Sequence, residues 1–245
     1  MKIRRPEDFL VKICGLTCED DVDAAVAAGA NAVGFNFHPF SPRYVDPTRA
    51  GALIDHLRAQ TGRSVAVFGV VVLSTKTPWQ PEPLQALLAE LDGLQVHGAG
   101  RPADLPDFAG RMLVAVGAEQ ADTFPGHEIL VDDSWGRGVP VRWEEVRELR
   151  RPFILAGGLT PENVRSAVRR LRPAGVDVCS GVEAYPGRKD PQKMQRFVEE
   201  VRLALRTDYG TAEEGVNANH ANHDNRKILM GQGDGDEFSR RDRSA

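Results

Sequence analysis

The hydrophobic pattern of this chain keeps changing period. Short apolar runs of three to nine residues alternate with segments in which apolar positions recur at helical spacing. Val11-Lys12-Ile13-Cys14 is the first run, and Gly15 ends it. A strand alternates its side chains between two faces, so Lys12 and Cys14 share one face while Val11 and Ile13 share the other. Val22, Ala25, Val26 and Ala28 then repeat as a helix that Gly29 stops.

The alternation continues down the chain. Strands are predicted at Ala32–Phe35, Val65–Leu73, Leu94–His97, Met112–Val116, Ile129–Val131, Phe153–Ala156 and Val176–Cys179. The intervening helices bury Ala50, Leu53, Ile54 and Leu57; then Leu84, Leu87, Leu88 and Leu91; then Trp143, Val146 and Leu149; then Val164, Ala167, Val168 and Leu171. Two short helices are expected near 103–108 and 119–124. Asp46-Pro47, Thr160-Pro161 and Asp190-Pro191 each offer a capping side chain followed by proline at a first turn. The last of these opens a helix carrying Met194, Phe197, Val198, Val201 and Leu205. Strands separated by helices imply a parallel sheet. Eight such units in about 205 residues imply an α/β chain folded as a single closed (β/α)8 barrel of the TIM type. An open doubly wound sheet is the runner-up, but no GxGxxG follows the first strand. The barrel is expected over residues 1–206. Residues 207–245 are rich in Asn, His, Gly and charge, and read as a disordered polar tail that buries too little to offset its ordering entropy.

Composition narrows the class of partner. The 245 residues are 41% hydrophobic and 27% charged, with a formal net charge of −4. Lys and Arg are scattered, so no nucleic-acid stripe is read. No apolar run approaches the roughly 20 residues that cross a bilayer, and no signal peptide is read. Three cysteines, Cys14, Cys18 and Cys179, are odd and sparse, which fits a reducing cytoplasm better than a disulfide framework. Cys14 and Cys18 lack the spacing of a redox or zinc motif. His220 and His223 read as solvated tail residues, so no metal is expected.

Barrels of this type keep their chemistry at the C-terminal ends of the strands. Those ends here carry Cys14-Gly15, the Ser41-Pro42-Arg43-Tyr44 loop, His97-Gly98, Asp132-Asp133-Ser134, Ala156-Gly157-Gly158 and Asp177 with Cys179-Ser180-Gly181. Helix caps account for some polar residues at such ends, but not for a thiol or an arginine. The adjacent loops with Gly157-Gly158 and Ser180-Gly181 suit a phosphate, because bare glycines let backbone N–H groups approach an anion. Cys14 and Asp132 are then expected to face each other across the mouth, one serving as base and the other as acid. Arg43 has the planar fork that suits a carboxylate. Lys12, one position below Cys14 on the same face, is read either as a cation favouring the thiolate or as half of a buried ion pair.

These residues stand in a recognisable order. Lys12-Ile13-Cys14-Gly15-Leu16-Thr17, Gly34-Phe35 with Ser41-Pro42-Arg43-Tyr44, Gln95-Val96-His97-Gly98, Ala156-Gly157-Gly158-Leu159 with Pro161-Glu162-Asn163-Val164, and Val176-Asp177-Val178-Cys179-Ser180-Gly181-Val182-Glu183 with Pro186-Gly187-Arg188-Lys189-Asp190 resemble the motifs of the phosphoribosylanthranilate isomerases. The likeness runs from about Leu10 to Leu205. It implies an aldose–ketose isomerase of tryptophan biosynthesis, working by general acid–base catalysis without a cofactor. Its reaction is the Amadori rearrangement of N-(5-phosphoribosyl)anthranilate to 1-(2-carboxyphenylamino)-1-deoxyribulose 5-phosphate. It implies Asp132 as general acid on the furanose oxygen and Cys14 as general base at C2. It implies Arg43, His97, Asp177, Gly157, Gly158, Ser180 and Gly181 as substrate-binding residues. A small phosphosugar is then the partner, and the chain is a monomer or a homodimer.

Three places depart from the family pattern. The stretch Trp135-Gly136-Arg137-Gly138-Val139-Pro140 is shorter than the usual glycine-rich loop. Cys179-Ser180 stands where paired serines are usual. The tail after Leu205 has no counterpart. Because strands one and eight adjoin in a closed barrel, Cys14 and Cys179 are expected to be neighbours that oxidation joins. Two other readings compete: a histidine-pathway phosphosugar isomerase, expected to carry an aspartate where Cys14 stands, and a phosphate-binding barrel without catalysis.

Overall fold

The computed structural model describes residues 8–74, 82–132 and 143–221. Compactness divides the chain into Met1–Arg206 and Thr207–Ala245. In the first unit eight parallel strands close a barrel: β1 (Leu10–Cys14), β2 (Ala32–Asn36), β3 (Ala66–Val72), β4 (Gly93–His97), β5 (Arg111–Val116), β6 (Glu128–Val131), β7 (Phe153–Leu155) and β8 (Gly175–Val178). Closure is made by β1 against β8, where Lys12 pairs with Asp177 and Ile13 with Val178. A two-stranded ribbon, β9 (Glu183–Tyr185) and β10 (Arg188–Lys189), follows the eighth strand.

Five α-helices are described: α1 (Glu19–Ala28), α2 (Pro47–Thr61), α3 (Trp143–Val146), α4 (Val164–Leu171) and α5 (Pro191–Ala221). Their ends follow local chemistry. Three acids in the first turn of α1 complement the helix dipole, and Gly29 closes it in the left-handed conformation at φ 87°. The Asp46 side chain accepts from Arg49 N, and Pro47 opens α2. Asp190 Oδ1 accepts from Gln192 N and Lys193 N, so Asp190-Pro191 does cap α5.

Several expected elements differ. Residues 84–91 form no α-helix: a 3-10 turn at Glu82–Leu84 leads into mixed bonds to the third and fourth residue back. Leu84, Leu87 and Leu91 are buried all the same. The spacing fixed which side chains go inward, and that does not require an unbroken helical ladder. The segments near 103–108 and 119–124 reduce to 3-10 helices at Pro102–Asp104 and Ala118–Thr123. Thr160 opens a turn ahead of α4 rather than capping it; Thr160 N donates to Asn163 Oδ1, and Asn163 is the residue before the helix. The backbone of α5 runs on to Ala221, into the stretch from 207 expected as a tail. Once a helix is nucleated, each added residue gains a bond at little further cost. Residues 222–245, the altered loop at 135–140 and Asp133 lie outside the described residues.

Two apolar layers result from the strand alternation. The larger lies between barrel and helices, with Ile13, Val33, Phe35, Val67, Val96 and Val176 facing Leu53, Ile54, Leu57 and Phe197. The smaller fills the lower barrel interior with Leu10, Ala32, Phe68, Leu113, Leu130 and Ile154. Gly93 makes room for Phe68, since a Cβ there would stand 2.3 Å from its ring.

Candidate active site

The upper half of the barrel interior is polar and bonded from wall to wall. Lys12 is fully buried, and its Nζ donates to Gln95 Oε1 at 2.7 Å and to Asp177 Oδ1 at 2.9 Å. Both readings of Lys12 therefore meet in one residue. It is paired with a carboxylate, and its charge also acts on Cys14. Burial opposes the charge on Lys12, but Asp177 and Cys14 outweigh that and hold its pKa well above the usual lysine range. Asp177, expected among the substrate-binding groups, is committed to this pair and nearly buried. Gly34 on the next strand gives the group its space. A Cβ there would lie 2.8 Å from Cys14 Sγ and 2.9 Å from Lys12 Nζ.

Gln95 and His97 share a face of β4, and Gln95 Nε2 is 2.9 Å from His97 Nε2. Burial lowers the His97 pKa; the charges of Asp132 and Asp177 work the other way, while Lys12 and His38 add to the lowering. Asp132 follows β6, half-buried, with its N–H donating to Val116 O. Asp132, Asp177 and Lys12 thus all act on one imidazole. Cys14 acts with Lys12 and Asp177 on the other side of the same group.

Along the β8 side of the mouth a second network runs. Cys179 follows β8 and leaves the strand conformation, at φ −125° and ψ −84°. Cys14 and Cys179 are free thiols that act on each other electrostatically, and a Cβ on Gly15, the residue after Cys14, would lie 3.1 Å from Cys179 Sγ, so the closure of β1 on β8 does make them neighbours. Arg43 grips Glu183 with both edges of its fork, Nε to Oε1 at 2.8 Å and Nη2 to Oε2 at 2.9 Å. Two of the five guanidinium donors are therefore already used. Buried Lys189 donates to Glu183 Oε1 at 3.0 Å and to Cys179 O at 3.0 Å, with its Nζ 3.7 Å from Cys179 Sγ.

The two thiols diverge in acidity. The hydrogen bond to Cys179 and burial raise Cys14 well above the ordinary thiol value, against the pull of Lys12. The Cys14 hydrogen bond lowers Cys179 to about 6; Lys189 and Arg43 help, while burial and Glu183 oppose.

The glycine loops meet above this. Gly157 and Gly158 have φ 74° and 65°, which only a residue without Cβ adopts readily. Asn163 Nδ2 donates to Gly158 O and steadies the turn. Gly181 packs against the other loop so closely that a Cβ would fall 1.8 Å from Leu159 O. Ser180 is exposed beside it. Surface hollows of about 560 and 260 Å³ lie at the opposite end of the barrel, near Pro125, Arg151 and Asp8, away from the thiols.

Glu183, Lys189 and Gln95 had no role in the sequence reading beyond standing inside motifs. Gln95 was within reach of that reading, because strand alternation puts it on the face of His97. Of the described residues, no helix is long and apolar enough to cross a membrane.

Residues 11–200 match the family model described as N-(5'phosphoribosyl)anthranilate (PRA) isomerase. An N-(5'-phosphoribosyl)anthranilate isomerase from Solibacter usitatus is 37% identical over 207 residues, which cover 80% of this chain and 99% of that protein. Two solved structures, each 33% identical, align with 79% of this chain and 98% of their own. One shows monomers of the dimeric Thermotoga maritima enzyme, at TM-score 0.65. The other, at 0.67, is a phosphoribosyl anthranilate isomerase in complex with reduced 1-(o-carboxyphenylamino)-1-deoxyribulose 5-phosphate.

Proposed function

The chain belongs to the N-(5'-phosphoribosyl)anthranilate isomerase family, and from that premise we propose that Cys14 and Asp132 are the proton-transfer pair of its reaction. That reaction converts N-(5'-phosphoribosyl)anthranilate to 1-(2-carboxyphenylamino)-1-deoxyribulose 5-phosphate in tryptophan biosynthesis. Asp132 protonates the furanose oxygen and opens the ring to a Schiff base. Cys14 removes the C2 proton, and the resulting enolamine tautomerises to the ketone. The observation that carries this reading is the polar upper interior, in which Cys14 and Asp132 act on one Lys12–Asp177–His97 group.

The Gly157-Gly158 and Ser180-Gly181 loops hold the phosphate, and their close packing supports a single anion site. Arg43 takes the anthranilate carboxylate with donors beyond the two that Glu183 holds. His97, kept neutral by burial, hydrogen-bonds substrate oxygens. Asp177 serves the substrate through Lys12 rather than by direct contact. The three free thiols support a reducing cytoplasm. On the precedent of the dimeric Thermotoga maritima enzyme, the assembly is a monomer or a homodimer.

The test is a fluorescence assay following loss of phosphoribosylanthranilate. Cys14→Ala and Asp132→Asn should each lower kcat by about 10² to 10⁴, the usual worth of one proton-transfer group, with the circular dichroism spectrum unchanged. A folded Cys14→Ala enzyme with wild-type turnover removes Cys14 from the chemistry.

A further inference from the structure

The network on the β8 side of the mouth does not balance its own charge. Two cations, Arg43 and Lys189, share one carboxylate, Glu183. Arg43 reaches it with Nε at 2.8 Å and Nη2 at 2.9 Å, and Lys189 Nζ reaches Oε1 at 3.0 Å. The lysine is sealed: its side chain is 0% exposed, against 5% for Glu183 and 12% for Arg43. Its place is set by the ribbon. A register shift between Arg188 and Lys189 puts Lys189 opposite Glu183 rather than Ala184. Arg188, one residue earlier, pairs instead with exposed Asp20. Lys189 Nζ also donates to Cys179 O at 3.0 Å, so the cation is anchored from two sides.

Burying an ammonium group is costly, and nothing in the reaction as drawn uses this one. With Glu183 alone, the Arg43 fork would be neutralised and would make a poor receptor for a second carboxylate. We propose that Lys189 is a positioning residue for the anthranilate carboxylate: it holds Glu183 from behind, so that Arg43, kept in place by that same glutamate, faces the substrate with one unit of positive charge to spare. The proposal rests on Arg43 taking that carboxylate. Arg43 supplies the direction, with its stem packed over Gly15, where a Cβ would lie 3.1 Å from its Cδ. Lys189 supplies the field.

Other charged groups stand nearby. Lys193 Nζ donates to the main-chain Glu183 O at 2.8 Å, and Lys12 and Asp177 offset each other deeper in the barrel. Both stay the same in every variant below. Cys179, with its sulfur 3.7 Å from Lys189 Nζ, adds a negative charge whenever it is a thiolate. Each variant is therefore also made in Cys179→Ser, which leaves that position uncharged, and the ranking should be the same in both backgrounds.

The experiment measures dissociation constants by titration calorimetry for two ligands: the reduced reaction product, and the same molecule without its ring carboxylate. Their ratio gives the preference for the carboxylate and cancels what the phosphate feels. Binding needs no proton transfer, so the outcome is independent of Cys14 and Asp132. Lys189→Met should lower the preference by about 10- to 50-fold, the weight of one charge roughly 7–10 Å away at an effective dielectric of about 20. Glu183→Gln should leave it at the wild-type value or above. Lys189→Met/Glu183→Gln, which again carries one excess charge, should return to within about fivefold of wild type. A network that only locks Arg43 in place predicts the reverse, with Glu183→Gln weakened and the double variant weakest. A loss shared equally by both ligands, a double variant no better than Lys189→Met, or a preference lowered by Glu183→Gln overturns the proposal. Arg43→Met separates the two ideas. If it leaves the preference unchanged, Arg43 does not hold the carboxylate and that assignment fails. If it abolishes the preference while Lys189→Met does not lower it, only the role of Lys189 fails. Should Lys189→Met not fold, Glu183→Gln decides: a preference at or above wild type upholds the proposal, and one below it overturns it.

Discussion

Removing Lys12 should cost this barrel far more than an ordinary surface lysine would. Its side chain has 0% exposure, Asp177 has 6%, and 2.9 Å separates their charged atoms. Lys12→Met has nearly the right volume and no charge. It leaves Asp177 buried without its partner and takes the donor from Gln95. Breaking a buried pair from one side costs about 3–5 kcal/mol, because the surviving charge is uncompensated. For a domain of this size each kcal/mol moves the midpoint by about 2–4 °C, so Tm should fall by about 6–20 °C. The double variant Lys12→Met/Asp177→Leu removes both charges. It should recover most of that loss, leaving chiefly the unbonded Gln95, worth about 1–3 kcal/mol. Urea denaturation at pH 7 of wild type, Lys12→Met, Asp177→Leu and the double variant gives the four free energies of the cycle, provided the m-values agree. The coupling energy should be positive and larger than about 2 kcal/mol. The reasoning is refuted if Lys12→Met lies within about 1 kcal/mol of wild type, or if the double variant is no more stable than Lys12→Met alone.

Two further outcomes follow from the same geometry. Gly34→Ala forces a methyl to 2.8 Å from Cys14 Sγ and 2.9 Å from Lys12 Nζ; it should cost about 1–3 kcal/mol by overpacking and lower kcat, measured by denaturation and by the fluorescence assay. Burial alone would raise the Glu183 pKa, but its bonds to Arg43 and Lys189 outweigh that and hold it below the usual glutamate range. A carboxyl whose folded pKa is depressed adds stability above its unfolded value, about 4.3, and loses it as pH falls through the lower folded value. Thermal melts should therefore show wild type more stable than Glu183→Gln at pH 7, with the gap narrowing from about pH 4 downward; a gap independent of pH between 7 and 3 contradicts the assignment.

The barrel was legible because each strand announces itself locally. Val65–Leu73 is rich in β-branched valine, and Ile129–Val131 is followed by an acid, so neither needs a distant residue to be recognised. The same alternation placed Lys12 beneath Cys14, and closure of β1 on β8 made Cys179 the neighbour of Cys14. Pairings across the mouth were not legible. Arg43 and Glu183 are 140 residues apart, and the grip of one on the other depends on where two loops come to rest. For the same reason the sequence offered Arg43 and Asp177 as open ligands for substrate, whereas each already holds a protein partner. The leucines of 84–91 show the opposite limit. Their spacing specified a buried face, and a chain of 3-10 and α-type turns satisfies it as well as a helix does.

Folding alone gives no reason for an ion pair in this interior. Buried pairs replaced by apolar side chains of similar volume often leave stability unchanged or improved. The floor beneath Lys12 is already apolar, with Phe68 ringed by Leu10, Leu130 and Ile154, and Lys12 Nζ stands 5.9 Å above the Phe68 ring. A leucine layer could have continued upward. Instead the polar half begins at Lys12, and the buried polar groups described in the interior are linked: Gln95 to His97, Asp177 to Lys12, Lys189 to Cys179. An apolar floor lowers the local dielectric and so strengthens each of these charges at short range. With Cys14 as the proposed base, the cost of burying Lys12 is the cost of holding a fixed positive field beside a group that would carry charge while a proton is in transit.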